Sequence, residues 1–290
     1  MKRNFDIIVD SGCDMPEEYL KKHEIKLVRL GFTMDNVNYE GEDGKRILEK
    51  DFYEKLRQGA MPITSQITGE TAKAYIRESL ENERDALVIT FSSALSGTAG
   101  SFFVAARELS RKYKQRNVRA VDSLCASMGE GLLLYYAVQK AEEGASLEET
   151  ADYIEELKGK ICHHFTVDNL FHLKRGGRVT ATTAIVGSIL KIKPILHVDN
   201  GGRLETVGKA MGRKKALKTL AERFFERKDM DETDPVFISH GDCIEDAEYL
   251  ASLIREKLPG VEIWINYVGA VIGAHSGAGT LALFHKGLYR

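Results

Sequence analysis

Four short segments of this chain carry residues whose types and spacing could do chemistry. The first is Ser92-Ser93-Ala94-Leu95-Ser96-Gly97-Thr98, which follows a buried apolar run and opens a helical pattern. The free N–H groups at a helix start favour an anion. The hydroxyls of Ser93, Ser96 and Thr98 add neutral donors, and Gly97 lets the backbone approach closely. That set suits a carboxylate or a phosphate, although helix capping by Ser93 or Ser96 accounts for the same residues without a ligand. The second segment, Thr64-Ser65-Gln66, also precedes a helix, so that two such loops could face one anion. A capped helix after Pro62 is its plainer explanation. The third is Leu173-Lys174-Arg175-Gly176-Gly177-Arg178, a loop or helix end. There Arg175 and Arg178 either pair an anion, offer charge to a partner, or simply flank a helix C-cap. The fourth runs from Val271 to Gly279, with glycine at every second or third position, as a phosphate cradle would have. It lacks the lysine of a P-loop and the Gly-x-Gly-x-x-Gly spacing. Within it, His275 reads as a general base, a hydrogen-bond donor to a carboxylate, or a core histidine.

Several enzyme templates fail. No Gly-x-Ser-x-Gly elbow surrounds Ser93 or Ser96, which weakens an α/β-hydrolase assignment. His163 and His164 are adjacent, and on a strand they point to opposite faces, a poor metal pair. Nothing in the spacing makes His240, Asp242 and Cys243 converge as a thiol nucleophile. Asp10 and Asp14 fit Mg²⁺ no better than they fit helix caps. No catalytic residue and no metal ligand is assigned.

These segments must be held by regular elements. Residues 5–9 read as a buried strand, 25–34 as a second strand, and 47–58 as an amphipathic helix. Residues 86–91 and 118–121 are strands, each followed by a polar loop and a helix, the first to about Lys112 and the second to about Glu143. Repetition of strand, polar loop and helix indicates a parallel sheet covered by helices, with ligands at the carboxyl ends of the strands. The second half changes character. A helix at 148–158 leads to a strand at 161–167 and an apolar helix at 181–190. Strands at 194–198 and 203–207 flank Asp199-Asn200-Gly201-Gly202, a hairpin signal. Strands at 235–240 and 261–268 flank a further helix. The fold class is α/β: an N-terminal domain (1–157) with a mainly parallel sheet and flanking helices, and a C-terminal α+β domain (158–290) with a largely antiparallel sheet.

Composition narrows the function. Hydrophobic residues make up 43% and charged residues 29% of 290, which is globular rather than disordered. A net charge of −2 offers nucleic acid no global attraction, and the cluster Arg111, Lys112, Lys114, Arg116 reads as a solvated helix end. Only three apolar residues follow the first six, far short of a signal peptide, and no stretch approaches the roughly 18 apolar residues of a membrane span. Four widely spaced cysteines without a Cys-x-x-Cys pair read as free thiols in a cytoplasmic protein.

Taken in order, the motifs resemble the DegV family of bacterial fatty-acid-binding proteins. The matching stretches are Ile8-Val9-Asp10-Ser11 with Asp14 and Pro16, Thr64-Ser65-Gln66, the 92–98 loop, and Val121-Asp122-Ser123. They continue with the 173–178 segment, Lys191-Ile192-Lys193-Pro194-Ile195-Leu196, and Gly273-Ala274-His275-Ser276-Gly277. Gly12-Cys13 and Ala278 depart from the family's usual residues, which leaves those two loop shapes open. The resemblance implies two domains with a long acyl chain in a tunnel between them, no cofactor, and no catalytic apparatus of the protein's own. It implies a separate ATP-binding fatty acid kinase subunit that phosphorylates the bound carboxylate for phospholipid synthesis, and transient membrane contact. It places the carboxylate on Thr64 and a serine of the 92–98 loop, Ser96 ahead of Ser93, with Ser65, Gly97, Thr98 and His275 around it. Arg175 and Arg178 fall near the head group or on the partner surface. Two rival readings remain at this stage: an enzyme acting on a phosphorylated small molecule through the 273–279 loop, and a serine hydrolase using Ser96 and His275.

Overall fold

The structure, a computed structural model, describes residues 3–41, 43–179, 191–231 and 233–290. Strand β1 (Phe5–Asp10) is buried along its whole length, as a strand covered on both faces must be. Helix α1 (Glu17–Lys22) follows. The single strand expected over 25–34 is two strands in two sheets. β2 (Lys26–Val28) pairs in parallel with β1, whereas β3 (Gly31–Met34) begins a separate antiparallel sheet. The chain leaves the first sheet at Leu30, whose N–H donates to Ser11 Oγ (3.0 Å) and whose carbonyl accepts from Gly41 N (3.1 Å). Alternating polarity cannot reveal such an exit, because both halves keep the same period. β4 (Val37–Glu40) returns through Asp35 and Asn36, both at positive φ, as a tight hairpin requires.

Helix α2 (Glu49–Arg57) leads to β5 (Ile63–Ser65), which pairs with the other edge of β3. Thr64 therefore sits on a strand, not in a loop at a helix start. Helix α3 (Gly69–Glu81) begins later and is capped by Thr68, whose Oγ1 accepts from Thr71 N. The expected alternation then appears: β6 (Asp85–Thr90), α4 (Thr98–Lys112), β7 (Val118–Asp122), α5 (Met128–Glu142) and α6 (Leu147–Leu157). A capping box between Ser146 and Glu149 starts α6. The parallel sheet has the order β2-β1-β6-β7. One face packs on α3 and α4 through Ile8, Val88, Ile76 and Phe102. The other packs on α5 and α6.

The second sheet is built from β8 (Ile161–Thr166), β9 (Ile192–Val198), β10 (Leu204–Met211), β11 (Val236–His240), β12 (Ile263–Tyr267) and β13 (Leu281–Lys286). Short α7 (Phe171–Arg175) follows β8, α8 (Arg213–Arg227) follows β10, α9 (Ile244–Arg255) follows β11, and α10 (Ala270–Ser276) follows β12. The order is β10-β9-β8-β13-β11-β12, antiparallel throughout except for the β11–β12 pair. The expected hairpin is present as β9–β10, where Asp199 Oδ1 accepts from Gly201 N and Arg203 N. Helices α8 and α9 cover one face of this sheet. The other face meets α5, which is buried on nearly every side and packs between the two sheets. A helix apolar all round is what that position requires. The apolar helix read at 181–190 lies outside the described residues.

The glycines of the 271–279 segment have packing and turn roles. The first part of the segment is helix α10, and a Cβ on Gly273 would stand 2.5 Å from Tyr53 Oη. Gly273 thus allows α10 to lie directly on α2, and Gly277 and Gly279 take positive φ in the turn beyond. Glycine spacing alone does not separate close helix packing from a phosphate loop.

Candidate functional site

The carboxyl ends of β1 and β6 are tied together by one buried side chain. Asp10 accepts from Gly12 N (2.9 Å) and from Phe91 N (2.8 Å). Burial raises its pKa to about 6, and the two N–H donors oppose that rise. This clamp fixes where the 91–98 loop begins. The far end of the loop is α4, whose N-cap Gly97 offers no side-chain cap. Ser92 Oγ donates to Gly202 O (2.9 Å) and so joins the loop to the β9–β10 hairpin.

Between the two sheets and β5 lies a cavity of about 220 Å³. Thr64, Ser65, Gln66, Ser96, Gly97, Arg178 and His275 line its polar part. The apolar lining is Phe91, Leu95, Phe165, Leu173, Val198, Leu204, Val268, Val271, Ile272, Ala282 and Phe284. A larger groove of about 800 Å³ runs beside Asp14, Glu17, Arg29, Glu40 and Glu49. Its mixed charges suit water better than an apolar ligand.

Two elements far apart in the chain meet at the polar end. Thr64 Oγ1 lies 2.8 Å from His275 Nε2. The other ring nitrogen, Nδ1, is buried without a hydrogen-bond partner among the described residues. Gly176 leaves room for that ring, since a Cβ there would stand 2.2 Å from Nδ1. Burial, joined by the nearby cations Arg178 and Arg175, lowers the pKa of His275 to about 4. The imidazole is therefore neutral at pH 7, in a positive surround that favours an incoming anion.

The sequence-derived candidates divide into two groups. Thr64, Ser65, Ser96, Gly97, Arg178 and His275 line one cavity. Ser93, Thr98 and Arg175 do not. Ser93 is exposed, and its N–H donates to Asp122 Oδ1 (3.1 Å). Thr98 is buried, and its Oγ1 accepts from Ile67 N (3.3 Å) and from Ser96 Oγ (3.0 Å), so it orients Ser96. Arg175 donates to Pro62 O (3.3 Å) and Ala274 O (3.0 Å), which straps β5 to α10 and holds Thr64 against His275. Arg178 donates to Leu95 O (3.2 Å) and to Gly176 O while facing the cavity.

Sequence reasoning missed a second polar cluster at the cavity wall. Ser127 Oγ donates to Asp14 Oδ2 (2.5 Å) and lies 2.9 Å from Ser239 Oγ. Ser127 has φ 54° and ψ −146°, a conformation that L-residues rarely adopt and that clusters at ligand sites. Burial raises the pKa of Asp14 to about 8, with hydrogen bonds from Ser127 and the Gly269 N–H opposing the rise. His163 also lines the cavity, and its Nε2 accepts from Ala126 N (3.2 Å). The one available signal was position: Ser127 follows the carboxyl end of β7, where this class of fold places ligands.

Comparison with known proteins covers nearly the whole chain. A family model described as "Uncharacterised protein, DegV family" matches residues 4–286. A DegV domain-containing protein of Clostridium perfringens is 44% identical over 289 residues, covering 98% of each chain. A solved DegV family protein from Thermus thermophilus, described by its fatty acid binding, superposes with a TM-score of 0.88. It is 30% identical and the match covers 98% of this chain and 100% of that one. DegV from Bacillus subtilis, described as a fatty acid binding protein, gives a TM-score of 0.84 at 31% identity, with 98% and 99% covered.

Proposed function

This chain belongs to the DegV family, and from that premise we propose that it binds one long-chain fatty acid and presents its carboxylate to a separate kinase subunit. The observation that carries the reading is the shape of the cavity: hydroxyls, an imidazole and a guanidinium at one part, aromatic and aliphatic side chains over the rest. The solved relatives described as fatty acid binding support it.

Each buried methylene of an acyl chain contributes roughly 0.8 kcal/mol. A carboxylate carried into the same site must keep its hydrogen bonds or lose several kcal/mol. Thr64, Ser96 and the N–H groups at the start of α4 supply neutral donors, and Arg178 supplies charge. Ser65 and Gly97 complete the polar wall, and His275 orients Thr64. Thr98 and Arg175 act as positioning residues behind Ser96 and Thr64, and Ser93 serves the loop rather than the ligand.

Phosphorylation to an acyl phosphate would be the work of the ATP-binding partner, as the family resemblance implies. The chain itself then needs no cofactor and no nucleophile. No helix among the described residues is long and apolar enough to cross a membrane. We place the protein in the cytoplasm, with lipid exchanged by transient membrane contact. Sheet membership supports a domain boundary at 157/158, since the parallel sheet ends with β7 and the mixed sheet starts with β8.

The test is calorimetric titration with palmitate and with its methyl ester. Tight, saturable binding of the acid and much weaker binding of the ester is the expected result. Equal affinity for both would remove the carboxylate site, and no binding of either would remove the carrier reading.

A further inference from the structure

On the face of the mixed sheet opposite the cavity, three ligating side chains converge. Cys162 and His164 alternate with His163 and Phe165 along β8, so they face α8 while His163 and Phe165 face the cavity. His285 on β13 stands directly opposite Cys162 in the antiparallel register. One ligand atom from each of Cys162, His164 and His285 lies within 4.8 Å of the others, and all three residues are buried.

The hydrogen bonding of these groups is unusual for a core. His164 is 1% exposed, yet neither ring nitrogen has a hydrogen-bond partner among the described residues. Buried polar atoms are normally paired, so an imidazole left bare on both sides calls for a ligand. His285 Nδ1 lies 2.8 Å from Lys286 O, and its Nε2 has no partner. A histidine that donates one N–H to a backbone carbonyl and keeps its other nitrogen free is oriented as metal-binding histidines are.

We propose that Cys162, His164 and His285 bind a single monovalent copper ion. One thiolate and two imidazoles form a donor set for soft or borderline cations. The charge of the surroundings selects among them. The positive charges of Arg223 and Arg227 act on His164, and those of Arg227 and Arg290 act on Cys162. Cu⁺ with one thiolate is neutral there, whereas Zn²⁺ with one thiolate leaves a positive charge among arginines. A structural zinc site also favours four protein ligands, and among the described residues three donors are in reach. Closure of the site needs the donors to draw in to separations of about 3.5–4 Å, as metal–ligand bonds near 2 Å require. On binding, the Cys162 thiol forms its bond to copper and releases its proton to solvent. That proton otherwise bridges to Tyr289 O at 3.1 Å.

The experiment is an anaerobic titration of the full chain with Cu⁺ against a chromophoric Cu⁺ chelator. One ion per chain is expected, with affinity falling about a hundredfold or more in Cys162→Ser and His285→Gln. X-ray absorption of the copper-loaded wild-type chain covers the case in which a variant fails to fold, and one sulfur with two nitrogen scatterers is expected there. No stoichiometric uptake, unchanged affinity in folded variants, or a spectrum without sulfur would overturn the proposal. Stronger competition for Zn²⁺ than for Cu⁺ would overturn the assignment to a monovalent ion. The outcome is independent of the acyl cavity, because the three side chains lie on the other face of the sheet.

Discussion

Thr64 Oγ1 and His275 Nε2 lie 2.8 Å apart although 211 residues separate them in the chain. The contact joins β5 to α10, and Arg175 holds the same two elements by their carbonyls. The polar end of the cavity is thus assembled from both halves of the chain, and it exists only when they pack together. The following outcomes are expected from that arrangement.

Replacing Thr64 by valine keeps the side-chain shape and deletes the hydroxyl. A hydrogen bond to a charged group contributes about 1.5–3 kcal/mol, so fatty acid affinity should fall by roughly ten- to a hundredfold. Calorimetric titration checks it. Ser96→Ala should act in the same direction, whereas Ser93→Ala, exposed and outside the cavity, should leave affinity unchanged.

Adjacent glycines give a sharper contrast. Gly176→Ala would place a Cβ 2.2 Å from His275 Nδ1 at an ordinary helical φ. It should push the ring off Thr64 and lower acyl affinity while the chain remains folded. Gly177 has φ 70° and open space around its Cβ position. Gly177→Ala should cost about 1 kcal/mol of stability through backbone strain and leave binding alone. Paired thermal melts and titrations separate the two effects.

Asp14 gives the protein a pH dependence of definite sign. Burial raises its pKa from the ordinary 3.8 to about 8, so the folded state holds the proton more tightly than the unfolded chain. The stability this proton linkage contributes is full below about 3.8 and is lost as pH rises through about 8. Asp14→Asn, which mimics the protonated acid and tolerates φ 50°, should flatten that loss. Melting temperatures of the two proteins between pH 5 and pH 9 provide the comparison.

If presentation to a separate kinase is correct, the chain alone should not turn over ATP. Incubation with palmitate, ATP and Mg²⁺ should give no acyl phosphate until an ATP-binding fatty acid kinase subunit is added. Acyl phosphate formed by the chain alone would assign it the chemistry as well.

The order of elements was largely legible in the residues. Apolar runs followed by polar loops gave the parallel sheet, and Asp199-Asn200-Gly201-Gly202 gave the β9–β10 hairpin. Three features were not legible, each for a physical reason. The break between β2 and β3 preserves the period of two, so nothing marks the exit at Leu30. The glycines of 273–279 serve helix contact and turns, and composition alone reads the same for a phosphate loop. The Asp14–Ser127–Ser239 cluster is long-range, with Ser127 113 residues from Asp14 and 112 from Ser239. Local spacing also left Ser96 and His275 open to several roles, and family resemblance, not spacing, directed attention to a carboxylate.

The central claim is that the cavity carries a fatty acid, and mass spectrometry of an organic extract tests it most directly. The chain would be purified after bacterial expression and extracted alongside Thr64→Val. The account predicts close to one C14–C18 fatty acid per wild-type chain and a clearly smaller amount in the variant. An extract without any acyl chain, together with no uptake of added palmitate, would contradict it.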